Sequence, residues 1–328
     1  MSLKKTKIIC TLGPASYKKK IILELKKLGV SIFRINLSHT NIKLLPRIID
    51  SLKKINLKNI CIDTEGAQVR TEKVNKKIFF RKNQVIKIFN KRITNTNKKI
   101  SFYPNFKFSQ LKLKTKIFIG FNDLKLLIIK KNSDYLLAKV ISSGFLESNK
   151  GVHFESKLTL PPLTEKDIKG INIAKKFNLK YYAMSFVNNE NDIKKIRKLI
   201  GNNFLISKIE TSNALKNLKN ISKNSNALLI DRGDLSRYIP IEKIPIIQEE
   251  ISNFTKLTKK PLYVATNLLE TMVKDNQPTR AESHDIYSTL KQGVSGLVLA
   301  AETAIGRDPV NCTKFLKNCI KVFNQKWK

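Results

Sequence analysis

At 328 residues with 41% hydrophobic residues, the chain can bury a full core and exceeds one ordinary domain of about 100–200 residues, so a barrel with an insertion fits its length. No run of about 20 apolar residues occurs, and MSLKKTKIIC runs directly into a short apolar segment, which argues against a signal peptide or membrane span and for a cytoplasmic protein. The formal charge of +38 rests on 63 basic residues against 25 acidic ones, but only 10 of them are Arg and the Lys are dispersed among Asn and Ile, so no specific nucleic acid is expected as partner.

Taken in chain order, short β-branched runs alternate with longer amphipathic segments, the pattern of parallel strands joined by helices. Eight runs are expected as strands: Lys7–Cys10, Ser31–Ile35, Asn59–Ile62, Tyr181–Phe186, Leu205–Ile209, Ala227–Ile230, Leu262–Ala265 and Gly296–Leu299. Expected helices between them include Tyr17–Leu28, Asn41–Lys54, Glu190–Ile200, Ile241–Leu257 and Thr279–Lys291. Eight such units predict an α/β fold, a (β/α)8 TIM barrel.

The rhythm breaks after the third unit. The runs Ile78–Phe80, Val85–Phe89, Lys116–Ile119 and Leu136–Ile141 are short and alternating, separated by polar turns with no convincing helix. The expected division is a barrel catalytic domain of 1–70 and 156–328 with an inserted small all-β barrel at 71–155, placed as a lid at a strand end. Cys10, Cys61, Cys312 and Cys319 form no C-x-x-C pair and lie near no His in sequence, and are expected as reduced structural thiols.

The strand ends of such a barrel form its site, and here they are crowded with polar groups. Glu210 and Asp234 would meet at adjacent strand ends as hard oxygen ligands for Mg2+ or Mn2+. They could instead be surface acids, but in so basic a chain two acids converging on one face favour a metal. Lys208 shares a strand face with Glu210 and could stabilise charge on a transferring phosphoryl group or an enolate. Gly233 and Asp234 follow a strand and precede a helix, so their amides could receive an anion. Arg34 and Arg70 offer planar forks for phosphate, while Asn36, Ser38, Asp63 and Thr64 could hold a monovalent cation or simply cap helices and turns.

Nine ordered segments make the chain resemble the pyruvate kinase family over nearly its whole length. They are TKIICTLGPAS at 6–16, FRINLSH at 33–39, DTEGAQVRT at 63–71, LPPLTEKD at 160–167, SFV at 185–187, ISKIE at 206–210, DRGDL at 231–235, PTRAE at 278–282 and ETA at 302–304. The resemblance implies phosphoryl transfer from phosphoenolpyruvate to ADP, giving pyruvate and ATP, with Mg2+ and K+. By motif position it implies that Arg34 grips phosphate, Lys208 stabilises the transfer and the enolate, and Glu210 and Asp234 bind Mg2+. It assigns Gly233 and Thr266 to the pyruvyl carboxylate, with Thr266 also near the face where the enolate is protonated. Asn36, Ser38, Asp63 and Thr64 fall on the K+ site, and His39, Arg70 and Asn36 on the nucleotide side. GFNDL at 120–124 is similar to a family lid segment, which makes Asp123 a lid contact.

Several positions depart from the family pattern. Gln68 replaces an acid, which weighs against K+ dependence; Asp231 replaces an Ala and adds a carboxylate near the metal; Asn267 and Leu268 alter T-Q-M, and Ala300 and Ala301 alter S-G-E. The expected helix eight is followed by the end at Lys328, where the family continues into a regulatory domain, so constitutive kinetics are expected and a homo-oligomer would form through barrel faces. Two other readings compete with an active kinase: an inactive pyruvate-kinase-like binding protein, and another Mg-dependent barrel enzyme acting on enolates or 2-oxo acids.

Overall fold

The computed structural model describes residues 6–120, 124–156 and 158–326, so Asp123 lies outside the described residues. The chain divides into two compact units, Met1–Gly66 with Glu165–Lys328, and Ala67–Thr164. The first unit opens with β1 (Lys7–Leu12), α1 (Lys19–Lys27), β2 (Val30–Asn36), α2 (Leu45–Lys54) and β3 (Ile60–Asp63). The second holds β4 (Val69–Thr71), β5 (Ile78–Phe80), β6 (Val85–Phe89), β7 (Lys99–Tyr103), β8 (Lys116–Ile119), β9 (Leu124–Lys131), β10 (Tyr135–Ser142), β11 (Gly144–Leu146) and β12 (Gly151–Phe154). The first then resumes with α3 (Glu165–Lys176), β13 (Tyr181–Met184), α4 (Glu190–Ile200), β14 (Phe204–Ile209), α5 (Ser212–Lys216), α6 (Leu218–Asn224), β15 (Ala227–Asp231) and α7 (Arg232–Leu235). It ends with α8 (Ile244–Leu257), β16 (Leu262–Ala265), α9 (Arg280–Lys291), β17 (Gly296–Leu299), α10 (Ala301–Ala304) and α11 (Pro309–Lys326).

The eight strands of the first unit close into a parallel barrel in the order β1-β17-β16-β15-β14-β13-β3-β2. Strands such as ICID of β3 and LYVA of β16 are buried along their whole length, as parallel strands covered on both faces must be. Ile9, Ile32, Ile206, Leu229, Tyr263 and Val298 fill the interior, so the barrel is a packed core whose polar groups are confined to its ends. Two surrounding helices start on reciprocal capping boxes, Asn189 with Asp192 for α4 and Thr279 with Glu282 for α9.

The second unit is a separate seven-stranded closed barrel, β10-β6-β7-β4-β12-β8-β9, with β5 and β11 paired beside it. Its core of Ile86, Ile88, Ile100, Leu126, Leu136 and Val140 comes from every second residue of its strands. Because β4 pairs with β7 and β12 inside this barrel, the division falls at 66/67 and 164/165 instead of 70/71 and 155/156.

The other differences from the expected elements are local. Strand four stops at Met184 rather than Phe186, because Phe186 adopts φ 53°, which no strand can contain. The segment expected as one helix over Ile241–Leu257 begins as a 3-10 turn, Ile241–Lys243, before α8. All four cysteines are free thiols, and Cys10, Cys61 and Cys312 are buried. No helix among the described residues is long and apolar enough to cross a membrane.

One glycine ties the exit of β3 to the exit of β13. Gly66 sits at φ +68°, and a Cβ there would lie 2.6 Å from the Ser185 carbonyl oxygen. Its amide and that of Glu65 donate to the buried Asp167 carboxylate at 3.1 and 2.7 Å, which anchors this turn to the start of α3. Gly66→Ala is expected to destabilise the protein by about 1–3 kcal/mol, read as a lowered urea midpoint. An unchanged midpoint would show that the turn yields freely.

Candidate active site

The barrel gathers its charged residues around Lys208, which points from β14 and is 4% exposed. Its ammonium lies 2.8 Å from Glu210 Oε1, 3.5 Å from Asp231 Oδ2 and 3.6 Å from Asp63 Oδ2, and donates to Ser185 Oγ at 3.1 Å. Burial works against the charged amine, but the carboxylates of Asp63, Glu210 and Asp231 outweigh it, so the Lys208 pKa is raised and the group stays an ammonium. Asp63 at the end of β3 serves two cations at once. Its Oδ2 also accepts from Arg34 Nη1 at 3.2 Å, and its Oδ1 accepts from Ser185 Oγ at 3.3 Å. Arg34 Nε donates to Thr11 Oγ1 at 2.9 Å, and Thr11 Oγ1 donates to the Leu299 carbonyl at 2.9 Å. The Arg34 guanidinium is thereby fixed from β1 and β3 together.

Glu210, Asp231 and Asp234 place one carboxylate oxygen each within 4.8 Å of one another. Glu210 is fully buried; its Oε2 accepts the Phe186 amide at 2.6 Å, which the positive φ of Phe186 aims at it. Its Oε1 faces the Lys208 ammonium at 2.8 Å. Burial raises the Glu210 carboxyl above its usual range, Lys208 opposes, and Asp234 and Asp231 push it up further. Three hard carboxylates that converge with one oxygen each fit Mg2+ or Mn2+. Glu210 and Asp234 are the pair singled out in the sequence, and Asp231 joins them.

Beside the carboxylates, Thr266 follows β16 at φ +69°. Its Oγ1 accepts from the Gly233 amide at 2.9 Å and donates to the Asp231 Oδ1 at 3.3 Å. Its carbonyl accepts from Arg232 Nε at 3.1 Å and Nη2 at 2.6 Å, while Arg232 Nη1 donates to Asp285 Oδ1 on α9 at 2.8 Å. Arg232 is therefore committed to holding the Thr266 backbone, and the cation that faces Asp231 is Lys208 instead.

The remaining sequence candidates distribute as follows. Asn36 closes β2; its Oδ1 accepts the Ser38 amide at 2.9 Å, and its carbonyl accepts the amide of the exposed His39 at 3.2 Å. Thr64 Oγ1 accepts the Ser185 amide at 3.0 Å and its carbonyl accepts Ser185 Oγ at 2.7 Å. Arg70 lies in the second unit on β4, where Nη1 donates to the Asn149 carbonyl at 3.4 Å. Within the first unit, Arg34, Asp63, Thr64, Lys208, Glu210, Gly233, Asp234 and Thr266 are joined by direct contacts or through Ser185 and Asp231. Sequence reasoning gave no role to Ser185, Thr11 or Asp285. Ser185 lies in the quoted SFV segment but inside the run expected as strand Tyr181–Phe186, so its place at the exit of β13 was hidden; Asp285 sits mid-helix with nothing in its neighbours to mark it.

Fold and site define a (β/α)8 barrel protein with an ammonium and a hard-cation carboxylate set at the strand ends. The chain belongs to the pyruvate kinase family: a family model described as the pyruvate kinase barrel domain matches residues 3–313. It is similar to pyruvate kinase of Thermotoga maritima, 31% identical over 335 residues covering 99% of this chain and 72% of that one. It is also similar to pyruvate kinase of Borreliella burgdorferi, 30% identical over 97% of this chain and 68% of that one. To pyruvate kinase isozyme G, chloroplastic, of Nicotiana tabacum it is 31% identical over 95% of its length, and there it spans only 58% of the relative.

The double service of Asp63 sets a measurable cost. Asp63→Asn leaves Arg34 and Lys208 buried with one carboxylate fewer, and is expected to destabilise the fold by about 3–5 kcal/mol in urea unfolding. A loss below about 1 kcal/mol would mean that Glu210 and Asp231 alone suffice to hold both cations.

Proposed function

We propose that this protein is a cytoplasmic phosphotransferase that moves the phosphoryl group of phosphoenolpyruvate to ADP, giving pyruvate and ATP, the last step of glycolysis. The observation that carries the reading is the buried Lys208 ammonium, held between Asp63 and the Glu210–Asp231–Asp234 set and kept charged by them. A fixed cation of this kind is what phosphoryl transfer requires, since the protein's part is chiefly positioning and electrostatic stabilisation.

The bond from the enolate oxygen to phosphorus breaks as the bond from an ADP β-phosphate oxygen forms, and the enolate then takes a proton at its methylene carbon. Arg34, rigid on Thr11 and Asp63, grips the phosphoryl oxygens, and Lys208 carries the negative charge that develops on them and on the enolate. Gly233 and Thr266 receive the pyruvyl carboxylate, and Thr266 faces the carbon that is protonated. Glu210 and Asp234 would hold Mg2+ or Mn2+, which would supply Lewis-acid polarisation of the substrate oxygens. Asn36, Ser38, Asp63 and Thr64 are assigned to K+, and His39, Asn36 and Arg70 to the nucleotide. A homo-oligomer through barrel faces completes the reading.

A coupled assay with phosphoenolpyruvate, ADP, Mg2+ and K+ tests it. Wild-type protein is expected to form pyruvate, and Lys208→Met and Glu210→Ala to lower kcat by about a hundredfold or more while remaining folded by circular dichroism. Folded wild type with no activity would replace this reading with that of an inactive relative, and pyruvate-forming activity independent of nucleotide would replace it with another enolate chemistry.

A further inference from the structure

The charge balance of the barrel site turns on one residue to which the proposed reaction gives no part. Four carboxylates, Asp63, Glu210, Asp231 and Asp234, face three cations, Arg34, Lys208 and Arg237. Arg34 answers Asp63, and Arg237 lies 3.3 Å from Asp234, so Glu210 and Asp231 share Lys208. Arg232, the next residue, does not relieve this, because it is bound to Asp285 and the Thr266 carbonyl. Asp231 adds a further acidic group in a place where Glu210 and Asp231 are 0% and 6% exposed and water screens little. One carboxylate oxygen of Glu210 lies within 4.8 Å of one each of Asp231 and Asp234.

We propose that Asp231 is a third carboxylate of the divalent-metal site and tightens the binding of the metal to the free protein. The inference rests on the assignment of Glu210 and Asp234 to the metal, and adds a third ligand to it. A carboxylate oxygen of Asp231 within 4.8 Å of one each of Glu210 and Asp234 supplies a further hard donor for a divalent cation.

Mn2+ titrated into the full chain without phosphoenolpyruvate, followed by its electron paramagnetic resonance signal, tests this directly. Wild type is expected to bind one Mn2+ per chain, and Asp231→Asn, which keeps the shape and the hydrogen-bonding capacity, about tenfold or more weakly; Asp231→Ala should match Asp231→Asn. Equal affinity in wild type and Asp231→Asn, or no binding by wild type until phosphoenolpyruvate is added, would overturn the proposal. Glu210→Gln separates the two failures. If it abolishes Mn2+ binding while Asp231→Asn does not weaken it, the metal assignment stands and only the role of Asp231 falls.

Discussion

The site of this barrel depends on keeping one ammonium charged where water is scarce. Lys208 is 4% exposed, and burial by itself works against its charged form. Asp63, Glu210 and Asp231 prevent this, and each reaches it from a different strand, β3, β14 and β15. A closed parallel barrel is suited to that demand, because adjacent strand ends bring side chains from distant parts of the chain to within 4 Å without loops having to fold over one another. The arrangement also explains why Asp63 cannot be assigned to one function. Its two oxygens serve Arg34, Ser185 and Lys208, so any role in holding a monovalent cation is added to a structural one.

Backbone conformation does the fine positioning. Phe186 and Thr266 are non-glycine residues at positive φ, two residues after β13 and directly after β16, a costly conformation that clusters at functional sites. At Phe186 the turn aims an amide at Glu210; at Thr266 it exposes a carbonyl that Arg232 grips with two N–H groups while Asp285 holds Arg232 from behind. Gly66 allows the neighbouring turn to press against Ser185, the residue that links Asp63, Thr64 and Lys208. At the site these residues lie at strand exits, and the fully buried strands behind them supply the rigidity.

The parts of this arrangement visible in the sequence are those set by short-range periodicity. Buried parallel strands need continuous β-branched runs, so all eight could be placed to within about two residues, and Lys208-x-Glu210 announces a shared face because strand side chains alternate. Contacts made by residues far apart in sequence left no such trace. Ser185 looks like any serine after a strand, and Asp285 like any acid on a helix, until the barrel closes and brings them to Lys208 and Arg232. Arg232, next to Asp231 in sequence, turns its fork to α9, where Asp285 and the Thr266 carbonyl together satisfy its planar geometry. In the inserted unit, short alternating strands were legible, but alternation does not encode which strands pair, so the order of the seven-stranded barrel was not.

The two charge scales of the molecule work in opposite senses. Over the whole chain the balance is +38, spread over lysines that are largely solvent-facing, whereas the strand ends gather the acids Asp63, Glu210, Asp231 and Asp234. Salt screens the first over roughly 8–10 Å in ordinary buffer, but hardly affects buried pairs 3–4 Å apart. A diffusing anion therefore responds to the basic surface first, and meets the acid set only at contact distance. There Lys208 and Arg34 are already held in place by Asp63, Glu210, Asp231 and the Thr11 hydroxyl.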